Sequence, residues 1–178
     1  IGQAAQGWKT AKTLATAVTP ATLLTTLAAR LADEEEPGVR AALCETIGRL
    51  PYRSAREVGR AEAALVDVAA RSDAVQDRLG VTKGFETLVR LHRELGRPGA
   101  DAIATLRALS GVTGDELPGP GSDPLRDSRV RRLALEALIA ARTFDEDLVV
   151  RAAADPAAQV RRLAMRAATL SGLGTGVL

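Results

Sequence analysis

The residues of this 178-residue chain best placed to recognise a partner are arginines recurring near Val-Arg pairs. Arg129, Arg131 and Arg132 form one cluster, and Arg161, Arg162 and Arg166 the next. Counted from Val39, Val130 and Val160, position two carries Arg132 and Arg162, and position six carries Glu45, Glu136 and Arg166. On a helix, positions two and six share one face, away from an apolar stripe that contains the valines. Arg162 and Arg166 are a like-charge i, i+4 pair and repel slightly unless Glu136 or a partner's carboxylate lies between them. Glu45, Arg132, Glu136, Arg162 and Arg166 are therefore the candidate partner-binding residues, with pairing inside the chain as the simpler fate of the same row.

Other chemistry finds little material. His92 is the single histidine and Cys44 the single cysteine, so the usual nitrogen and sulfur ligand sets for zinc cannot be assembled in one chain. The acidic run Asp33-Glu34-Glu35-Glu36 lacks the alternating ligands and the glycine of an EF-hand loop. A Ser-His-Asp triad could form only around His92, whose neighbours place it at a charged helix edge, and no nucleophile elbow, P-loop or dinucleotide fingerprint accompanies it. Cys44 reads as a small core residue. The chain is expected to be non-catalytic, with no catalytic residues, cofactor or metal.

The 24 basic residues stand against 22 acidic ones, for a formal charge of +2. That balance is too even to imply nucleic acid or an anionic membrane as a partner, and nucleic acid is not the expected one. No apolar run reaches the ~18 residues of a membrane span, and the opening IGQAAQGWKT has no basic region leading into an apolar run, so no targeting segment is expected in it. The compartment is therefore left open.

The helices that must position the arginines follow from composition and period. Aromatics make up 2% of residues, while Ala, Leu and Arg dominate, which favours an all-α fold. VRRLALEALIA from Val130 and VRRLAMRAATL from Val160 are internal repeats, VRAALCETIGRL from Val39 is a third copy, and a degraded fourth starts at Val75, where VQDRLGVTKGF has Gln76 in place of the arginine. Val130, Ala134, Ala137, Leu138 and Ala141 define a buried stripe, and another helical stretch precedes each copy. Proline after Thr19, Glu36, Asp123 and Asp155 marks helix starts, as do the capping-box spacings Ser54/Glu57 and Thr143/Glu146. These signals predict helices over 2–17, 20–33, 37–50, 54–71, 73–95, 99–110, 125–141, 144–154 and 156–171. Gly80 and Gly84 weaken the fifth, predicting a kink or a close helix contact. Residues 111–124 hold four glycines and three prolines and read as an insertion in the third hairpin.

The stretches DEEEPGVRAALCETIGRL, DSRVRRLALEALIA and DPAAQVRRLAMRAATL resemble the second helix of HEAT repeats, nearest the short bacterial variety found also in phycobilin lyases. The resemblance spans roughly residues 20 to 171 and implies an α-solenoid of about four antiparallel helical hairpins forming one domain over 1–178. It also implies a structural ladder in which Arg40, Arg131 and Arg161 pair with acidic turn residues, namely Glu34 or Glu36, Asp127 and Asp155, with an interruption at Gln76. Such a family member is expected to be a protein-binding scaffold whose partner surface is built by the second helices. The alternatives are a nucleic-acid-binding module of HEAT-like type, or a lyase-like accessory subunit needing a tetrapyrrole pocket. Because the chain opens at Ile1 and closes in the uncharged SGLGTGVL, it is expected to belong to a longer array or to carry a docking tail.

Overall fold

A computed structural model describes residues 18–111 and 127–171 of the chain. These residues form eight α-helices and one 3-10 turn, with no strand among them. The helices are α1 (Pro20–Asp33), α2 (Pro37–Arg49), α3 (Ala55–Arg71), α4 (Val75–His92), α5 (Ala100–Leu109), α6 (Ser128–Ala140), α7 (Glu146–Ala153) and α8 (Ala158–Ser171). They pack in sequential pairs, α1 on α2, α3 on α4, α5 on α6 and α7 on α8. The second members then pack in order, α2 on α4, α4 on α6 and α6 on α8, while α1, α3 and α5 form a parallel row of contacts behind them.

Local chemistry sets most boundaries. Thr19 caps α1 by accepting the Thr22 N–H at 3.2 Å, with Pro20 at the first helical position, where its missing N–H costs nothing. Glu36 and Pro37 repeat the arrangement at α2. Ser54 Oγ accepts the Glu57 N–H while the Glu57 carboxylate accepts the Arg53 N–H at 2.7 Å, a reciprocal cap shifted by one residue from the ideal box. Three expectations shift. The cap of α7 is Asp145, which accepts the Leu148 N–H at 3.0 Å, whereas the Thr143 hydroxyl donates back to the Leu138 carbonyl. Pro156 lies before the first turn of α8 rather than in it. The helix expected over 73–95 ends at His92 and tightens into a 3-10 turn over Arg93–Leu95. The helix expected over 2–17, the Asp123-Pro124 start and all but Gly111 of the 111–124 insertion lie outside the described residues.

One continuous core runs between the two rows. Leu24, Leu27 and Leu31 contribute from α1, Ile47 from α2, Leu65 and Val68 from α3, Phe85 and Leu88 from α4, Leu106 from α5, Leu138 from α6 and Leu148 from α7. The α4 glycines serve close contact, as the sequence had suggested. A methyl group at Gly84 would lie 2.7 Å from the Cys44 carbonyl oxygen, and one at Gly80 would collide with Ala41 of α2. Gly48 on α2 faces Gly84 in the same way, so α2 and α4 approach nearly backbone to backbone.

Candidate functional site

Aligning the second helices by position corrects the repeat register. Arg40, Arg78, Arg131 and Arg161 are each the fourth residue of α2, α4, α6 and α8. Repeat two therefore begins its pattern at Asp77, not Val75, and Asp77 occupies the place of Val39, Val130 and Val160. The apolar positions four and eight residues on then fall on Val81 and Phe85, both fully buried, where a count from Val75 gives Leu79 and Lys83. Gln76 does not interrupt the ladder, because Arg78 carries it.

Of the acids expected in the ladder, Asp127 and Asp155 take part, while the carboxylates of Glu34 and Glu36 do not receive Arg40, whose acid is Asp77. Arg40 sends NH1 to the carbonyl oxygens of Glu34 and Glu35 at 3.0 and 2.6 Å, while Nε and NH2 grip Asp77 of the following pair at 3.0 and 2.5 Å. Arg131 crosses to Asp155 in the same sense, with Nε and NH2 at 2.7 and 3.1 Å, and does not take Asp127 as its acid. Asp127 instead receives Arg78 NH1 at 3.2 Å. Arg161 donates NH1 to the carbonyl oxygens of Asp155 and Pro156, both at 2.8 Å, and not to the Asp155 carboxylate. Each arginine of the three rungs thus ties the turn or helix of one pair to the start of the next second helix. Fork geometry explains why arginine holds these places, since one guanidinium can serve a carbonyl and a carboxylate together.

Asp77 is the most enclosed carboxylate of the ladder, with no exposed surface, and it also accepts the Ser72 hydroxyl at 2.6 Å. Asp155 is nearly as enclosed, and its Oδ1 additionally accepts the Ala157 N–H at 2.7 Å. One Asp127 oxygen is buried without a hydrogen-bond partner among the described residues. Between the first helices, Arg107 reaches Asp145 at 2.6 Å and Arg60 reaches the Thr25 hydroxyl at 2.8 Å, so both rows are cross-linked by arginine.

The candidate partner row divides in two. Glu45 accepts Lys83 of α4 at 2.6 Å and Arg49 of its own helix at 3.1 Å. That contact draws the Glu45 carboxyl below its usual range despite the opposing effect of burial, which is the largest single influence on it. Arg132 and Glu136 pair along α6 at 2.6 Å. Glu136 is thereby engaged by its own helix and does not separate Arg162 from Arg166. Those two arginines are exposed and form no ion pair among the described residues. Position six now reads Glu45, Lys83, Glu136, Arg166, alternating in sign along the stack, and Lys83 is a member that counting from Val75 could not reveal.

His92 departs from its expected helix-edge position. It is buried, its Nε2 lies 2.9 Å from the Leu50 carbonyl oxygen, and its ring packs against Tyr52 with centroids 5.2 Å apart. Burial pushes its pKa below the ordinary 6.5, against the smaller opposing effects of Leu50 and Glu57. The unfolded chain consequently binds more protons than the folded one between the folded pKa and 6.5, so stability contributed here is full above that window and lost as pH falls through it. We expect the melting temperature to be lower at pH 5.5 than at pH 7.5 in the native chain, and the difference to shrink in His92→Gln. An unchanged difference in that variant would locate the pH response elsewhere.

Cys44 lies in the core with its thiol pushed up to about 12 by burial, so at neutral pH it is a packed thiol and not a thiolate. Among the described residues no three His, Cys, Asp or Glu side chains converge as a metal-binding group, and no helix is long and apolar enough to cross a membrane. A groove of about 300 Å³ opens between α3 and α5, lined by Val66, Ala69, Asp73, Arg78, Thr105 and Leu109. It lies at the lower end of the size range of small-molecule sites.

The architecture defines an all-helical protein built from sequential helix pairs tied by arginine. Comparison with protein families, curated proteins and solved structures finds no match to this chain.

Proposed function

We propose that this chain is a non-catalytic protein-binding scaffold, an α-solenoid of HEAT-like hairpins that presents the charged row of its second helices to an acidic surface of another protein. The observation that carries this reading is the contrast within the row. Glu45, Lys83, Arg132 and Glu136 are closed by internal pairs, whereas Arg162 and Arg166 stand exposed one turn apart without a carboxylate among the described residues. Holding two like charges side by side is mildly unfavourable in the free chain and becomes favourable when an acidic group sits between them. The near-balanced charge and the alternation of sign along position six favour a localised acidic patch on a protein over a continuous phosphate backbone. Resemblance to HEAT repeats supports the solenoid reading, through the Val-Arg pattern and the pairwise packing of α1 to α8.

The experiment is a pull-down from cells of the source organism with the native chain and with R162E/R166E, read by quantitative mass spectrometry. Circular dichroism melts would establish that both are folded. The expected outcome is one or more proteins retained by the native chain and depleted at least ~10-fold by the double reversal, the scale of losing a central charged contact. Unchanged capture would remove this face as the binding surface. A titration against duplex DNA at low and high salt separates the nucleic-acid reading, since phosphate binding must weaken steeply as salt rises.

A further inference from the structure

The two ends of the stack differ from its middle in a way that the repeated contacts of the chain itself explain. On each second helix, the line formed by the ladder arginine and the residue four further on faces the following pair. In the first three pairs that second residue is buried: Cys44 and Thr82 are 0% exposed and Leu135 is 1% exposed. In the fourth pair it is Met165, which is 36% exposed. The opposite line faces the preceding pair and starts at the position before the ladder arginine. There Asp77, Val130 and Val160 are buried at 0%, 2% and 1%, but Val39 of the first pair is 43% exposed. The following-side seam is thus open at α8, and the preceding-side seam is open at α2.

Charge completes the match. Arg161 places NH1 on its own turn carbonyls as Arg40 does, but its Nε and NH2 meet no carboxylate among the described residues, where those of Arg40 hold Asp77 and those of Arg131 hold Asp155. At the other end, Asp33, Glu35 and Glu36 are exposed around the start of α2, and among the described residues no arginine of another pair reaches them. Glu36 stands four residues before its ladder arginine and caps its helix, the place that Asp127 occupies before Arg131 when it receives Arg78.

We propose that the open seam at Arg161 and Met165 takes the open seam at Glu36 and Val39 of a second copy of this chain, Arg161 completing a fourth rung on Glu36 and Met165 packing near Val39. The contact is head to tail, so it repeats into longer arrays or closes into a ring. It goes beyond the scaffold reading and is independent of it, because it uses the ends of the stack and is measured on the purified chain alone.

Sedimentation velocity of the native 178-residue chain from about 5 to about 200 µM at low salt tests the proposal. The expected result is a mass that rises above 18.6 kDa with concentration. Arg161→Glu and Glu36→Arg should each weaken association at least ~10-fold, because each sets like charges against one another across the seam. An equimolar mixture of the two variants presents opposite charges at every junction and should associate again. Recovery in the mixture separates a lost contact from a lost fold. A single-chain mass at every concentration overturns the proposal and leaves the end faces to other residues of the chain or to a different protein. Association that neither variant weakens, or that the mixture fails to restore, overturns it equally.

Discussion

Asp77→Ala is expected to cost about 3 to 5 kcal/mol of folding stability, because it strands the guanidinium of Arg40 in a largely enclosed seam without its carboxylate. The same carboxylate holds the Ser72 hydroxyl, so its removal also leaves the turn between α3 and α4 without its anchor. The loss measures the cost of an unpaired buried charge, not the net worth of the pair, since replacing a buried ion pair by apolar residues of similar volume is often neutral. Arg40→Met with Asp77→Leu should accordingly be less damaging than Asp77→Ala alone. Urea melts of the three chains check this, and a single substitution that costs under about 1 kcal/mol would place Asp77 in a solvated setting.

Phe85→Ala is expected to cost about 3 to 5 kcal/mol, as for a large buried aromatic whose cavity cannot fully collapse. Close approach of α2 and α4 through Gly48, Gly80 and Gly84 leaves these helices little freedom to close the void. The contrast with Leu79→Ala is the informative part. If repeat two were counted from Val75, Leu79 would be the core residue at plus four. In the structure Leu79 is only half-buried, and its loss should fall below about 2 kcal/mol, the lower range for fully buried leucine. Equal losses at the two positions would restore the earlier register.

Much of the fold was legible because local and periodic signals agreed. Thr19-Pro20, Glu36-Pro37 and Ser54 place three helix starts within a residue, and the stripe through Val130 and Leu138 locates the core face of α6. Repeat two was misread for a physical reason. Its first seam position holds an aspartate where the other repeats hold valine, and a hydrophobic pattern cannot anticipate a charge that a neighbouring arginine neutralises. Matching on the arginine, at the fourth residue of every second helix, would have found Asp77 and Arg78. His92 was misplaced because its sequence neighbours Arg90, Arg93 and Glu94 are charged, while burial depends on Leu50 and Tyr52, some forty residues away.

The candidate site was legible in membership more than in pairing. Sequence spacing put Glu45, Arg132, Glu136, Arg162 and Arg166 on one row, but which of them find internal partners depends on distances between helices. Lys83 reaches Glu45 only because three glycines draw α4 against α2. Likewise, acids near each turn could be enumerated, but the direction of each rung could not, since a turn acid and the next pair's acid are equally within reach of a flexible arginine.

The central claim is that the arginine at the fourth residue of each second helix binds its pair to the next. A double-mutant cycle between Arg131 and Asp155 tests it most directly, using Arg131→Ala and Asp155→Asn, the latter keeping an oxygen for the Ala157 N–H. The cycle should yield a coupling of about 0.5 to 3 kcal/mol in denaturant melts. Effects that add to within about 0.3 kcal/mol would contradict a rung between the two pairs.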